Sequence, residues 1–147
     1  MALNRLTIGT IALVAVMGAL LATYAALTSV YTVHNATGVN SIGVGVFLDS
    51  ACTEPVTTIN WGMLNPGAAP TQTVYVSNNG TASVTLTLTT GNWNPSAAQG
   101  NFTVSWNQQN ATLAAGGVVP AVITLSVSSS AVGISSVTFD ITITGTQ

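Results

Sequence analysis

The sequence predicts a long hydrophobic N-terminal α-helix followed by an all-β sandwich of about seven strands. Three observations carry that reading. Leu6 to Tyr31 holds no charged residue and is dominated by Leu, Ile, Val, Ala and Met. Beyond residue 41, apolar and polar residues alternate with period two over several short runs. Clusters of Asn, Pro and Gly separate those runs, as turns between strands do.

Residues 1–5 form a short basic lead-in, with Arg5 its only charge, and 6–33 form the helix. A helix of the 26 residues from Leu6 to Tyr31 extends about 39 Å, against roughly 30 Å of bilayer hydrocarbon. Three readings fit such a segment. A cleaved secretory signal has an apolar core of only about 7–15 residues, so the run is long for that class. A membrane anchor suits the length and places Arg5 on the cytoplasmic side. The third reading is a helix that begins in the membrane and then packs with copies of itself in a filament core. In that case the assembly face comprises Leu6, Gly9, Ile11, Leu13, Val14, Val16, Met17, Gly18, Leu20, Leu21, Tyr24 and Leu27. Gly9, Gly18 and the interleaved alanines allow backbones to approach closely, as in small-xxx-small packing.

Turn formers end the helical pattern, residues 34–41 form a linker, and 42–147 form the head domain. The clearest strands are Ser83 to Thr90, Val119 to Val127 and Val137 to Thr144. Val84, Leu86 and Leu88 share one face of the first, and threonines the other. In the last, Val137, Phe139, Ile141 and Ile143 point inward and Thr138, Asp140, Thr142 and Thr144 outward. Weaker candidates are Ser41 to Leu48, Thr57 to Trp61, Gln72 to Ser77 and Phe102 to Trp106. Turns fall at Asn65-Pro66-Gly67, Asn78-Asn79-Gly80, Asn94-Pro95 and Ala115-Gly116-Gly117. Short strands at this spacing, over about a hundred residues, predict an immunoglobulin-like sandwich. Trp61, Trp93 and Trp106 join its core, with Trp93 in a loop context and the most exposed of the three.

Charge excludes whole classes of function. Of the 147 residues 48% are hydrophobic and 3% charged, the charged set being Arg5, Asp49, Glu54 and Asp140. A nucleic-acid surface needs a Lys/Arg patch, and one arginine is not a patch. Acid–base catalysis has one His, one Cys and three carboxylates to work with. Cys52 lies in Asp49-Ser-Ala-Cys-Thr-Glu54, with His34 upstream. There is no C-x-x-C and no second His, so a small buried thiol is favoured over a metal centre or a Cys–His nucleophile. No P-loop, dinucleotide fingerprint or nucleophile elbow occurs. The expectation is a protein with no cofactor, no metal and no enzymatic activity.

Hydroxyls and amides replace charge in the head. Four Asn-x-Thr sequons, at Asn35, Asn79, Asn101 and Asn110, are candidate glycosylation sites, three of them in or beside expected turns. The serine-rich stretch Ser126 to Ser136 is a candidate for O-linked sugar. Sugar there supplies the hydration that missing charges do not.

An uncharged helix of about one membrane thickness, followed by a charge-poor Thr/Ser/Asn-rich head, resembles archaeal type IV pilins and related surface-filament subunits. The resemblance is carried by Leu6 to Tyr31, by Trp61-Gly-x-Leu-x-Pro-Gly67, by Thr73-Val-Tyr-Val-Ser-Asn-Asn-Gly80 and by Phe139-Asp-Ile-Thr-Ile-Thr-Gly145. It implies a homopolymer whose helices pass from the cytoplasmic membrane into a filament core, with the heads outermost at the cell surface and serving adhesion. It also implies a prepilin peptidase, a motor ATPase and a polytopic assembly platform as partners. In that family cleavage follows a basic residue and then Gly or Ala, whereas here Arg5 is followed directly by Leu6. Two other readings stand beside the pilin. One is a fibre built by strand exchange after signal cleavage, with a segment such as Ser41 to Leu48 as donor. The other is a single-pass anchored surface domain that never polymerises.

Overall fold

Where Thr, Val and Ile alternate through the second half of the chain, β-branched side chains suit the pleat, and the runs become strands. The computed structural model describes residues 37–131 and 133–147. These form nine strands: β1 Thr37–Ile42, β2 Gly45–Phe47, β3 Thr58–Ile59, β4 Thr71–Ser77, β5 Val84–Asn94, β6 Phe102–Trp106, β7 Thr112–Leu113, β8 Val118–Val127 and β9 Thr138–Thr146. A single 3-10 turn, Ser96–Gly100, joins β5 to β6.

Two sheets result. One has the order β3-β1-β9-β5-β7, the other β2-β4-β8-β6. All pairings are antiparallel except β1 with β9, where Gly38 lies opposite Asp140 and Ile42 opposite Thr144. The β5–β9 ladder sets Thr85 against Thr146, Leu86 against Gly145 and Leu88 against Ile143. Leu86, Phe139, Ile141 and Ile143 from the first sheet and Val74, Val76, Ile123 and Leu125 from the second belong to one buried cluster. A fully buried Leu or Ile contributes about 1.5–3 kcal/mol through its apolar area. The core therefore lies between the inward faces of the two sheets.

The expected fold class, a long hydrophobic helix plus a sandwich of about seven strands, is corrected on what the described residues contain. They are all-β, with no helix of seven residues or more. No helix among them is long and apolar enough to cross a membrane. The run given to a helix, with Leu6, Gly9, Ile11, Leu13, Val14, Val16, Met17, Gly18, Leu20, Leu21, Tyr24 and Leu27, lies outside the described residues.

The strand count differs for two physical reasons. The run Ser41 to Leu48 breaks in two, because the chain leaves one sheet after β1 and enters the other at β2. Gly43 makes that crossing at φ +73°, a conformation glycine adopts at little steric cost. A Cβ at Gly43 would sit 2.6 Å from the Gly145 carbonyl oxygen, so the crossing also needs the missing side chain. The other addition is β7, whose two residues are too few to show a period. β1 itself takes in residues 37–41 of the expected linker together with Ile42.

Trp93 is the most exposed of the three tryptophans, as expected, but its place in a loop is corrected. It lies on β5 and not in a loop, half-buried, with its ring stacked 4.2 Å from that of Phe139 and 6.4 Å from Phe102. The register of β5 against β9 shifts between Gly91 and Asn94, and Asn92 takes a positive φ there. A bulge of this kind re-aims a side chain, and it carries the Trp93 ring to the core side. Trp61 and Trp106 are buried as expected.

Candidate functional site

A head with so little charge presents three kinds of surface: threonine ladders, sequon-bearing turns and open strand edges. On the outer face of the larger sheet, Thr85 lies opposite both Thr146 and Thr112, Thr87 opposite Thr144 and Thr89 opposite Thr142. Thr–Thr pairs directly opposite in a ladder are stabilising cross-strand contacts. Asp140 sits at the end of this array, where Asn92 Nδ2 donates to its Oδ2 at 2.6 Å.

The sequons are not equivalent. Asn79 is exposed in the turn after β4, where its Oδ1 accepts from Ser77 Oγ at 2.8 Å, leaving the nitrogen to solvent. Asn110 is exposed at φ +61° before β7, held by its own N–H donating to the Leu86 carbonyl. Asn101 is half-buried, and its Nδ2 donates to the Ala97 carbonyl at 3.2 Å. Asn35 lies outside the described residues. Transfer of a glycan needs an accessible amide nitrogen, and Asn79 and Asn110 present one.

Beside Asn79 stands Asn78, which the sequence did not distinguish. It is fully buried. Its Nδ2 donates to the carbonyls of Ala82, Leu113 and Ala114 at 2.8, 3.1 and 3.1 Å, and its Oδ1 accepts from Gly80 N–H at 3.0 Å. Its backbone N–H donates to the Gly117 carbonyl and its carbonyl accepts from Gly116 N–H. The exposed sequon is thus set on a rigid base. No sequence signal other than the run of two asparagines before glycine marks this role.

The cysteine loop holds no metal centre among the described residues. His34 lies outside them. Asp49 is committed to its own loop: Oδ1 accepts from the N–H groups of Thr53 and Glu54 at 2.9 and 2.8 Å, and Oδ2 from Thr53 Oγ1 at 3.0 Å. The Glu54 and Thr53 donors, first the Glu54 amide, hold the Asp49 carboxyl below its ordinary value of 3.8. Cys52 is half-buried rather than buried, at φ +57°, and is a free thiol.

At the side of the sandwich where β5 faces β6, a shallow groove of about 210 Å³ is lined by Leu88, Val104, Ser105, Trp106 and Gln109. Gln109 Oε1 accepts from Trp106 Nε1 at 2.6 Å and from the Leu88 backbone N–H at 3.1 Å. One side chain thus stands in for a missing strand beyond β7. The indole N–H groups of Trp61 and Trp93 are buried with no such acceptor, a state that costs about 1–3 kcal/mol each.

No protein-family model, no curated protein and no solved structure matches this chain.

Proposed function

We propose that the protein is a structural subunit of an extracellular filament of the archaeal type IV pilus kind. In this reading copies assemble by burying their apolar segments, Leu6 to Tyr31, against one another, and the β head is the exposed, glycan-bearing face used in adhesion. The observation that carries the proposal is the distribution of charge. A run of 26 uncharged residues precedes a head whose outer surface is built of threonines and amides. Segments without charge associate without burying an ion, which costs several kcal/mol, and their apolar area gives a driving force that salt does not screen. Before assembly the same segment resides in the cytoplasmic membrane, and an assembly ATPase and membrane platform are the partners the resemblance implies.

The strand-exchange alternative loses support from one observation. The proposed donor, Ser41 to Leu48, is already paired within its own head, β1 with β9 and β2 with β4.

The test is the intact mass and N-terminal sequence of the protein taken from its own cells, together with electron microscopy of the same material. Filaments whose subunits retain Leu6 to Tyr31 support the proposal. Protein recovered as a detergent-dispersed monomer with no filaments makes it a single-pass anchor, and loss of the segment excludes the pilin. The same mass carries the expectation for sugar: a glycan on Asn79 and Asn110, removed by Asn79→Gln with Asn110→Gln, and none on Asn101. Modification at Asn101 alone contradicts the accessibility argument.

A further inference from the structure

Strand β6 forms one edge of the smaller sheet, and its hydrogen-bonding phase is fixed at both ends. Ser128 N–H donates to the Asn101 carbonyl at 2.8 Å, and Asn107 N–H to the Val122 carbonyl at 3.3 Å. Backbone groups alternate sides along a strand, so Asn101, Thr103, Ser105 and Asn107 face β8. Phe102, Val104 and Trp106 therefore direct their N–H and C=O groups to the open side. Among the described residues, none of these groups bonds to another loop or strand.

The other three edges are short. β2 has three residues, and β3 and β7 have two each. A very short edge is a normal protection against strand addition, as are charge, proline and bulges. β6 has five residues and none of these devices: Phe-Thr-Val-Ser-Trp is uncharged, has no proline and keeps an unbroken register with β8.

The five residues are also chemically symmetric about Val104, reading aromatic, hydroxyl, valine, hydroxyl, aromatic in either direction. We infer that β6 pairs with β6 of a second copy about a two-fold axis at Val104. Phe102 then lies opposite Trp106 of the second copy and Val104 opposite its equivalent. Each of these narrow pairs exchanges two bonds, so the register makes six hydrogen bonds. All of them use groups that have no other partner. On the outer face, Thr103 lies opposite Ser105 of the second copy, a favourable hydroxyl pair. A strand bearing charge near its centre would repel its own copy in such a pairing, and this one bears none. The small groove lined by Val104 and Trp106 adjoins the axis.

A two-fold contact is self-complementary and closes on itself. It cannot recur between successive subunits of a polar filament, whose subunits all point the same way. In the filament proposed above it joins a head of one filament to a head of another, and so bundles them. The pairing does not depend on polymerisation, so its failure leaves the filament reading intact.

Cross-linking reads the register directly. Full-length chains carrying Thr103→Cys and Ser105→Cys are prepared separately in a Cys52→Ser background, mixed in detergent and oxidised with oxidised glutathione. Opposed positions of this type have Cα atoms about 4.5 Å apart, within disulfide range. The mixture is expected to give at least about tenfold more covalent dimer than either variant alone, because residue 103 faces 105 and not 103. Both positions are exposed, so neither substitution threatens the fold. Equal yields in all three samples, or no dimer in the mixture, overturn the inference.

Discussion

Asn78 closes the corner where the end of β4, the turn at 79–82 and the loop between β7 and β8 meet. It satisfies three carbonyls and one amide with a single side chain. Removing one partner of a buried bond exposes the full desolvation cost of the groups left behind. Asn78→Ala is therefore expected to destabilise the head by about 2–4 kcal/mol in a denaturant titration, whereas Asn79→Ala, which leaves only the Ser77 hydroxyl without its acceptor, costs about 1 kcal/mol. Equal effects would remove Asn78 from its structural role. The two neighbours also show where legibility ends. Asn79 is marked by Thr81 two residues on, a pattern written in the chain itself. Asn78 becomes important only because the fold brings carbonyls from residues 113 and 114 to it, and no local pattern records that. At Asp49 the chemistry is local and carries a pH sign. Its folded value is depressed, so its contribution to loop order is present above the unfolded value near 3.8 and is lost as pH falls through the folded one. In an NMR titration the Thr53 and Glu54 amide protons are expected to shift together with a midpoint below 3.8. A midpoint at or above that value contradicts the hydrogen-bonded loop.

At the level of elements, β5, β8 and β9 are the parts the sequence wrote most plainly. Each is long enough for alternation to accumulate, and the inward set Val137, Phe139, Ile141 and Ile143 is buried to within 1% of completely. Elements that depend on distant partners were harder to see. Strand β7 exists because two residues happen to lie beside Val84 and Thr85. The division of residues 41–48 between two sheets depends on a close approach to Gly145, about a hundred residues further along the chain. That dependence can be isolated, because Gly43 and Gly62 share nearly the same φ, +73° and +70°, but Gly62 has nothing near its missing Cβ. Any L residue at either position carries the left-handed backbone cost of roughly 1–2 kcal/mol. Only Gly43→Ala adds a backbone clash. It is expected to cost at least about 1 kcal/mol more than Gly62→Ala, read as the difference in their unfolding midpoints. Parity between the two variants means that β1 and β2 have freedom to separate at the crossing. Trp93 follows the same logic. The sequence Gly-Asn-Trp-Asn-Pro looks like a loop because its turn formers are real, but here they serve a bulge that tips the ring onto Phe139.

For the whole molecule, the scarcity of charge decides how stability responds to pH and salt. Acid denaturation arises mainly from carboxylates that lose native partners on protonation and from buried histidines that must become charged. This chain has three carboxylates and one histidine. Asp49, whose carboxyl is held low by its neighbours, lies half-buried in a loop outside the core cluster. The core itself, running from Val46 to Ile143, contains no ionisable side chain. Its stability comes from apolar burial and from ladder hydrogen bonds, neither of which titrates. The melting temperature of the full chain in a nonionic detergent is thus expected to change by no more than about 5 °C between pH 7 and pH 2. Raising the salt concentration at either pH leaves it nearly unchanged, because few charges are present to be screened. Circular dichroism near 215 nm follows the β head in both cases. A fall of tens of degrees at pH 2 means that protonation reaches the core, and the link between low charge and acid tolerance is then wrong.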